Sequence, residues 1–195
     1  VATCGGYIRG QGVTASCIVL DQINQRWDES KMGNLTMERN GAVAVTLDRI
    51  GVFILGGEDR AARSNFLASG TMQWQEGPTL PLPENMTDEF YYPCALTISA
   101  TSVLVVHGTD IKEFDAAIAG PRSNEGWREA GRWPALMSRR ISQPGCAKIG
   151  QKVVIAGGYD GGILSSTEVL DLVSRQVAPG GEMIQPRMWF HIATI

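Results

Sequence analysis

The residues of this chain best equipped for chemistry are two histidines, four cysteines, a few aspartates beside glycine pairs, and a recurring arginine. His107 and His191 lie far apart in sequence, neither has a Cys or His partner at the spacing of a zinc site, and no Cys-x-x-Cys pair occurs. Both histidines are therefore expected to be structural, His107 as a strand-end residue satisfied by local backbone groups. Cys94 and Cys146 stand 52 residues apart and are able to approach each other, but buried free thiols are the expected state for them. Asp59, Asp110 and Asp160 each follow a glycine-bearing pair, where a carboxylate ordinarily bonds turn amides. The run Gly158-Tyr159-Asp160-Gly161-Gly162 is glycine-rich, yet no helical segment follows to turn a dipole toward a phosphate. Nucleophile elbow, P-loop and dinucleotide fingerprints do not occur. The expectation is a non-catalytic protein with no cofactor and no metal.

Two further motifs concern modification. Asn34-Leu35-Thr36 and Asn85-Met86-Thr87 are N-x-Thr sequons 51 residues apart, which in a secreted protein accept glycans.

The elements that must carry these residues are read from composition and repetition. Of 195 residues, 44% are hydrophobic and 19% charged, a globular composition with material for a sizeable core. The net charge of -3 and pI near 5.4 give no basic footprint for nucleic acid or anionic membrane. No apolar stretch approaches the roughly 18 residues that cross a bilayer. With 23 Gly, 9 Pro and little helical periodicity, short strands joined by tight turns are expected.

The strands repeat. Val1-Ala2-Thr3-Cys4 runs into Gly5-Gly6, Val52-Phe53-Ile54-Leu55 into Gly56-Gly57, Val103-Leu104-Val105-Val106 into His107-Gly108, and Val153-Val154-Ile155-Ala156 into Gly157-Gly158, at steps of 51, 51 and 50. A second strand-like run follows each pair, at Ser16 to Asp21, Arg63 to Ala68, Thr109 to Asp115 and Ser166 to Asp171. Trp27, Trp74 and Trp127 come next, with Val177 in the fourth slot, and a connection then leads to Arg39, Arg140 or Arg187, the second unit offering Phe90 instead. The units run approximately 1–47, 48–98, 99–149 and 150–195.

Four strand-sized segments per unit make one antiparallel sheet. Because the tetrads are apolar on both alternating faces, each sheet has to be covered twice, which radial stacking achieves. An all-β propeller of four visible blade equivalents is the expected fold, read as a window on a larger ring. Each tryptophan is expected to pack on a neighbouring blade, burying ~150–250 Å² for at most about 4–6 kcal/mol. Val177 is expected to leave the fourth blade less well packed.

The period near 50, the double glycines, Tyr159-Asp160-Gly161 after Gly157-Gly158, the strand Glu168 to Asp171 and the spaced tryptophans together resemble Kelch-repeat propellers over essentially the whole chain. His107 in place of a glycine, Val177 in place of Trp, and an insertion around Ala116 to Glu125 depart from that pattern. The resemblance implies a ring, usually of six blades, closed by strands from both chain ends. It also implies one rim, formed by the loops after the glycine pairs and the loops into the arginine strand, as the partner-binding face. Tyr7, Arg9, Arg39, Asp59, Arg60, Arg63, Asp110, Arg139, Arg140, Tyr159, Asp160 and Arg187 are placed there. Arg9, Arg39 and Arg140 are candidates for an acidic peptide segment, while Arg39 and Arg140, at matched positions, are favoured as braces between loops.

The function implied is protein–protein interaction, in some relatives as substrate receptor of a cullin-type ubiquitin ligase. Adhesion outside the cell is the alternative, and a galactose-oxidase-like or sugar-mutarotase enzyme a more distant one.

Overall fold

The computed structural model describes residues 2–57, 62–81, 92–128, 132–140 and 144–192. The first sheet is built from β1 (Ala2–Cys4), β4 (Cys17–Asp21) and β5 (Arg26–Asp28), with the hairpin β2 (Tyr7–Ile8) and β3 (Gly12–Val13) projecting between β1 and β4. The second is β6 (Val43–Leu47), β7 (Gly51–Leu55), β8 (Ser64–Ala68) and β9 (Gln75–Glu76). The third is β10 (Cys94–Thr97), β11 (Ser102–His107) and β12 (Asp110–Asp115), to which Trp127 adds a one-residue bridge with Phe114. The fourth is β13 (Gly145–Ile149), β14 (Lys152–Ala156), β15 (Thr167–Asp171) and β16 (Gln176–Pro179). All pairings are antiparallel. The protein is an all-β arc of propeller-type blades, phased one strand earlier than the sequence units, since β6, β10 and β13 each open a sheet.

The apolar tetrads are covered on both faces. From β7, Phe53 and Leu55 point to the third blade, into a core with Val103, Val105 and Phe114, whereas Ile54 points to the first blade, beside Cys17, Leu35 and Trp74. From β11, Leu104 and Val106 point the other way and meet Val153, Ile155 and Leu170 of the fourth blade. Alternation of strand side chains thus sends successive residues of one strand into two different cores. An aromatic file crosses the central interface: Phe53 stands 4.9 Å from Phe66 and 5.6 Å from Phe114, which stands 5.2 Å from Trp127.

The tryptophans show which way each blade leans. Trp74 of the second blade packs against the first, and Trp127 of the third packs against the second. Trp27 occupies the same slot in the first blade but is 50% exposed, contrary to expectation, because among the described residues no sheet lies against that face of the blade. Val177, partly buried, packs toward the third blade. Trp133, from the segment before β13, fills the same core and donates Nε1 to Glu113 Oε2 at 3.0 Å. The insertion after β12 forms α1 (Ala116–Ala119), capped by Asp115, and a 3-10 turn at Asn124–Gly126.

The cysteines are not free thiols. Cys4 and Cys17, directly opposite on β1 and β4, form one disulfide. Cys94 and Cys146 form a second, joining the innermost strands of the third and fourth blades, β10 and β13. The matched positions that allow an approach also place these residues on adjacent strands around one axis.

Candidate partner-binding rim

The end of the arc where β1, β7 and β14 run into their glycine pairs is built by a recurring turn. Gly5, Gly56 and Gly157 have φ of +72°, +72° and +62°, and Gly6, Gly57 and Gly158 have +106°, +101° and +97°. A Cβ on Gly5 would lie 2.7 Å from the carbonyl oxygen of Arg39, and one on Gly157 would collide with that of Arg187. The first glycine is needed because the arginine backbone of the next connection lies directly on it. The third blade does without this turn: β11 continues through His107, and β12 begins after the two residues Gly108 and Thr109, with Gly108 at φ +59°.

The matched arginines are buried latches. Arg39 is 1% exposed and Arg140 0%, which removes both from the partner-binding set and favours the bracing role. The backbone N–H of Arg39 donates to Thr14 O and its carbonyl accepts from Gly6 N, while its side chain reaches into the second blade. There Nε donates to Asn65 Oδ1 at 2.8 Å, Nη2 to Arg63 O at 2.7 Å, and Nη1 to Gly56 O. Arg140 repeats this one step on. Its backbone exchanges two bonds with Gly108, and its guanidinium donates to Gly157 O, Ser166 O and Glu168 Oε1. Glu168 and Asn65 hold the same register position opposite Ile155 and Ile54, so one latch closes on a carboxylate and the other on a neutral amide. Facing no carboxylate among the described residues, the buried Arg39 guanidinium is pushed down to about 10 by desolvation. Arg187 keeps only the backbone half, with its carbonyl accepting from Gly158 N at 2.8 Å, and its side chain is exposed.

Above the latches stand the loops. Tyr7 and Tyr159, each the first residue after a glycine pair, open matched hairpins by pairing with Val13 and Ile163. The tip of the first carries Arg9, and that of the second carries Asp160; both are exposed. With its two-residue turn, the third blade makes a dip between such projections. Arg63 is exposed and 3.8 Å from Glu76, Asp110 pairs with Lys112 at 3.6 Å, and Arg139 is exposed. Asp59, Arg60 and Phe90 lie outside the described residues.

Asp59, one of the three aspartates expected to hold turn amides, lies outside the described residues. At the opposite end of the blades Asp21 and Asp171 hold turn amides, accepting from Ile23 and Asn24 N–H and from Val173 and Ser174 N–H. Lys31 and Asn24 hold the Asp21 carboxyl far below its ordinary value, and the two amides lower Asp171.

Two aromatic residues escaped the sequence reading. Trp189, two residues after Arg187, and Tyr92, in the matching place before β10, have ring centroids 5.9 Å apart. Trp189 is 60% exposed at φ +58°, a strained conformation for a bulky residue. A position two residues past the arginine slot was the available signal. Exposed Met137 and Ile184 also stand here, each one residue after the leucine or methionine that hydrogen-bonds across the connection, Leu136 or Met183. The rim is therefore an apolar and aromatic surface edged by arginine.

Two cavities lie deeper. One of about 740 Å³ runs along the hub, walled by Ala44, Ala95, Ala147, Lys148 and His191. Lys148 there donates to Ile98 O at 3.0 Å. The other, about 560 Å³, lies between the first two blades against β1, which pairs only with β4. Among the described residues, no three His, Cys, Asp or Glu come together as a metal site, and no helix is long and apolar enough to cross a membrane.

Radially stacked antiparallel blades with a loop-bearing rim define a propeller-type fold. Within it, residues 140–184 match the Kelch motif, a stretch that runs from the Arg140 latch through the fourth blade. Kelch motifs generally mediate protein–protein interaction. A search of curated proteins finds no relative of the chain.

Proposed function

We propose that the rim bearing the glycine turns binds a partner protein and does no chemistry of its own. The observation that carries this reading is the exposure on one rigid face of Tyr7, Met137, Ile163, Ile184 and Trp189, edged by Arg9, Arg63, Arg139 and Arg187. Aromatic anchors and arginines are the residue types that dominate binding energy at protein interfaces, and sheets braced by buried arginines hold them in place before the partner arrives. Without Arg39 and Arg140, a purely acidic peptide is a weaker fit. A segment with an apolar anchor and acidic flanks suits the surface better.

Two settings share this rim: a substrate receptor of a cullin-type ubiquitin ligase, and an adhesion propeller outside the cell. The paired cysteines favour the second, since disulfides persist in oxidising compartments. The test is quantitative recovery of partners by the full chain. Tyr7→Ala with Trp189→Ala is expected to reduce recovery at least tenfold, and Ile23→Ser with Val173→Ser, at the opposite end, to leave it unchanged. Equal recovery by both pairs overturns the proposal.

A further inference from the structure

We propose that Asn34 carries an N-linked glycan, added in the oxidising lumen where Cys4–Cys17 and Cys94–Cys146 form. This goes beyond the rim reading and does not depend on it. Three observations converge. The first is that all four cysteines of the chain are paired, two within the first blade and two between blades, which is the pattern of a protein matured among disulfide-forming oxidants. The second is placement: Asn34 and Thr36 are exposed while Leu35 between them is buried, so the sequon lies at the surface, anchored by its middle residue.

The third is the orientation of the amide. Asn34 Oδ1 accepts the backbone N–H of Cys17 at 3.2 Å, so the carbonyl faces the sheet. No described residue takes a bond from Nδ2, the branch that glycosylation uses. In the transfer, the Nδ2–C bond to the anomeric carbon forms as the C–O bond from that carbon to a polyprenyl diphosphate breaks, and one Nδ2 proton is lost. The product is still an amide whose carbonyl accepts from Cys17, so the glycan and the fold next to the Cys4–Cys17 bridge are compatible. Because Cys17 adjoins the Gly5–Gly6 turn, the glycan borders the hairpin that carries Tyr7 and Arg9. The second sequon, Asn85-Met86-Thr87, lies outside the described residues.

The experiment is peptide mass spectrometry on the full natural protein, treated with peptide N-glycosidase in heavy-oxygen water. The peptide containing position 34 is expected to carry heavy-oxygen-labelled Asp there. In the same cells Thr36→Ala should abolish the label, while Thr36→Ser, which keeps the sequon and a hydroxyl for Asn65, should retain it. Asn34 recovered unmodified, with or without a glycan elsewhere, overturns the proposal. Recovery of all four cysteines as free thiols overturns it as well.

Discussion

Arg140 and Glu168 form an ion pair of 2.9 Å in which both side chains are buried, and the same arginine is held through its backbone by Gly108 of the preceding blade. One residue thus ties two blades together, with its peptide group serving one and its guanidinium the next. Removing the arginine strands a carboxylate whose other partners among the described residues are the Met137 and Ser138 amides. Arg140→Ala is expected to cost about 3–5 kcal/mol in denaturant unfolding. Glu168→Gln, which mimics the neutral Arg39–Asn65 latch, should cost less, about 1–2 kcal/mol. A double-mutant cycle between the two positions reads the coupling directly.

The fold was legible because one strand tetrad had to satisfy two neighbours, with Phe53 and Leu55 buried on one side and Ile54 on the other. The arginine slot was legible as a position but not as a depth. Nothing in the chain around Arg39 and Arg140 distinguishes a rim arginine from a buried one; the difference comes from the Gly56 and Gly157 carbonyls, 17 residues on, which only the folded turn aims inward. Disulfide pairing was hidden for a similar reason. Register alone sets Cys4 against Cys17, and the angle between blades sets Cys94 against Cys146.

Trp133 does in the fourth blade what a spaced tryptophan does elsewhere, although it comes from a different part of the repeat. Trp133→Ala is expected to cost about 3–5 kcal/mol, whereas Trp27→Ala, at a half-open site, should cost about 1 kcal/mol. Parallel chemical denaturation of the two variants checks the ranking.

The disulfides should differ in weight. The Cys94–Cys146 bridge spans 52 residues and Cys4–Cys17 only 13, so loop-closure entropy gives the longer bridge an advantage of about 1 kcal/mol. Melting Cys94→Ser with Cys146→Ser beside Cys4→Ser with Cys17→Ser should show the larger loss in the first pair.

Asp171 is one of the lowered carboxyls, with Asp21, that shape the acid limb of stability. Its carboxyl is held below the ordinary 3.8 by the Ser174 and Val173 amides, so above that value its contribution is fully present. As pH falls toward the folded-state value, the unfolded chain binds the proton first and stability declines. Asp171→Asn should flatten the decline below pH 4 in denaturant midpoints measured across the acid range.

The central claim is that partners dock on the glycine-turn rim and not on the opposite end of the blades. Site-specific photo-crosslinking in the natural environment tests it most directly, with the reactive residue placed in turn at Trp189, Tyr7, Ile23 and Val173 of the full chain. The account predicts one crosslinked partner shared by positions 189 and 7 and absent from 23 and 173. A partner trapped from positions 23 and 173, with nothing from 189 and 7, would contradict it.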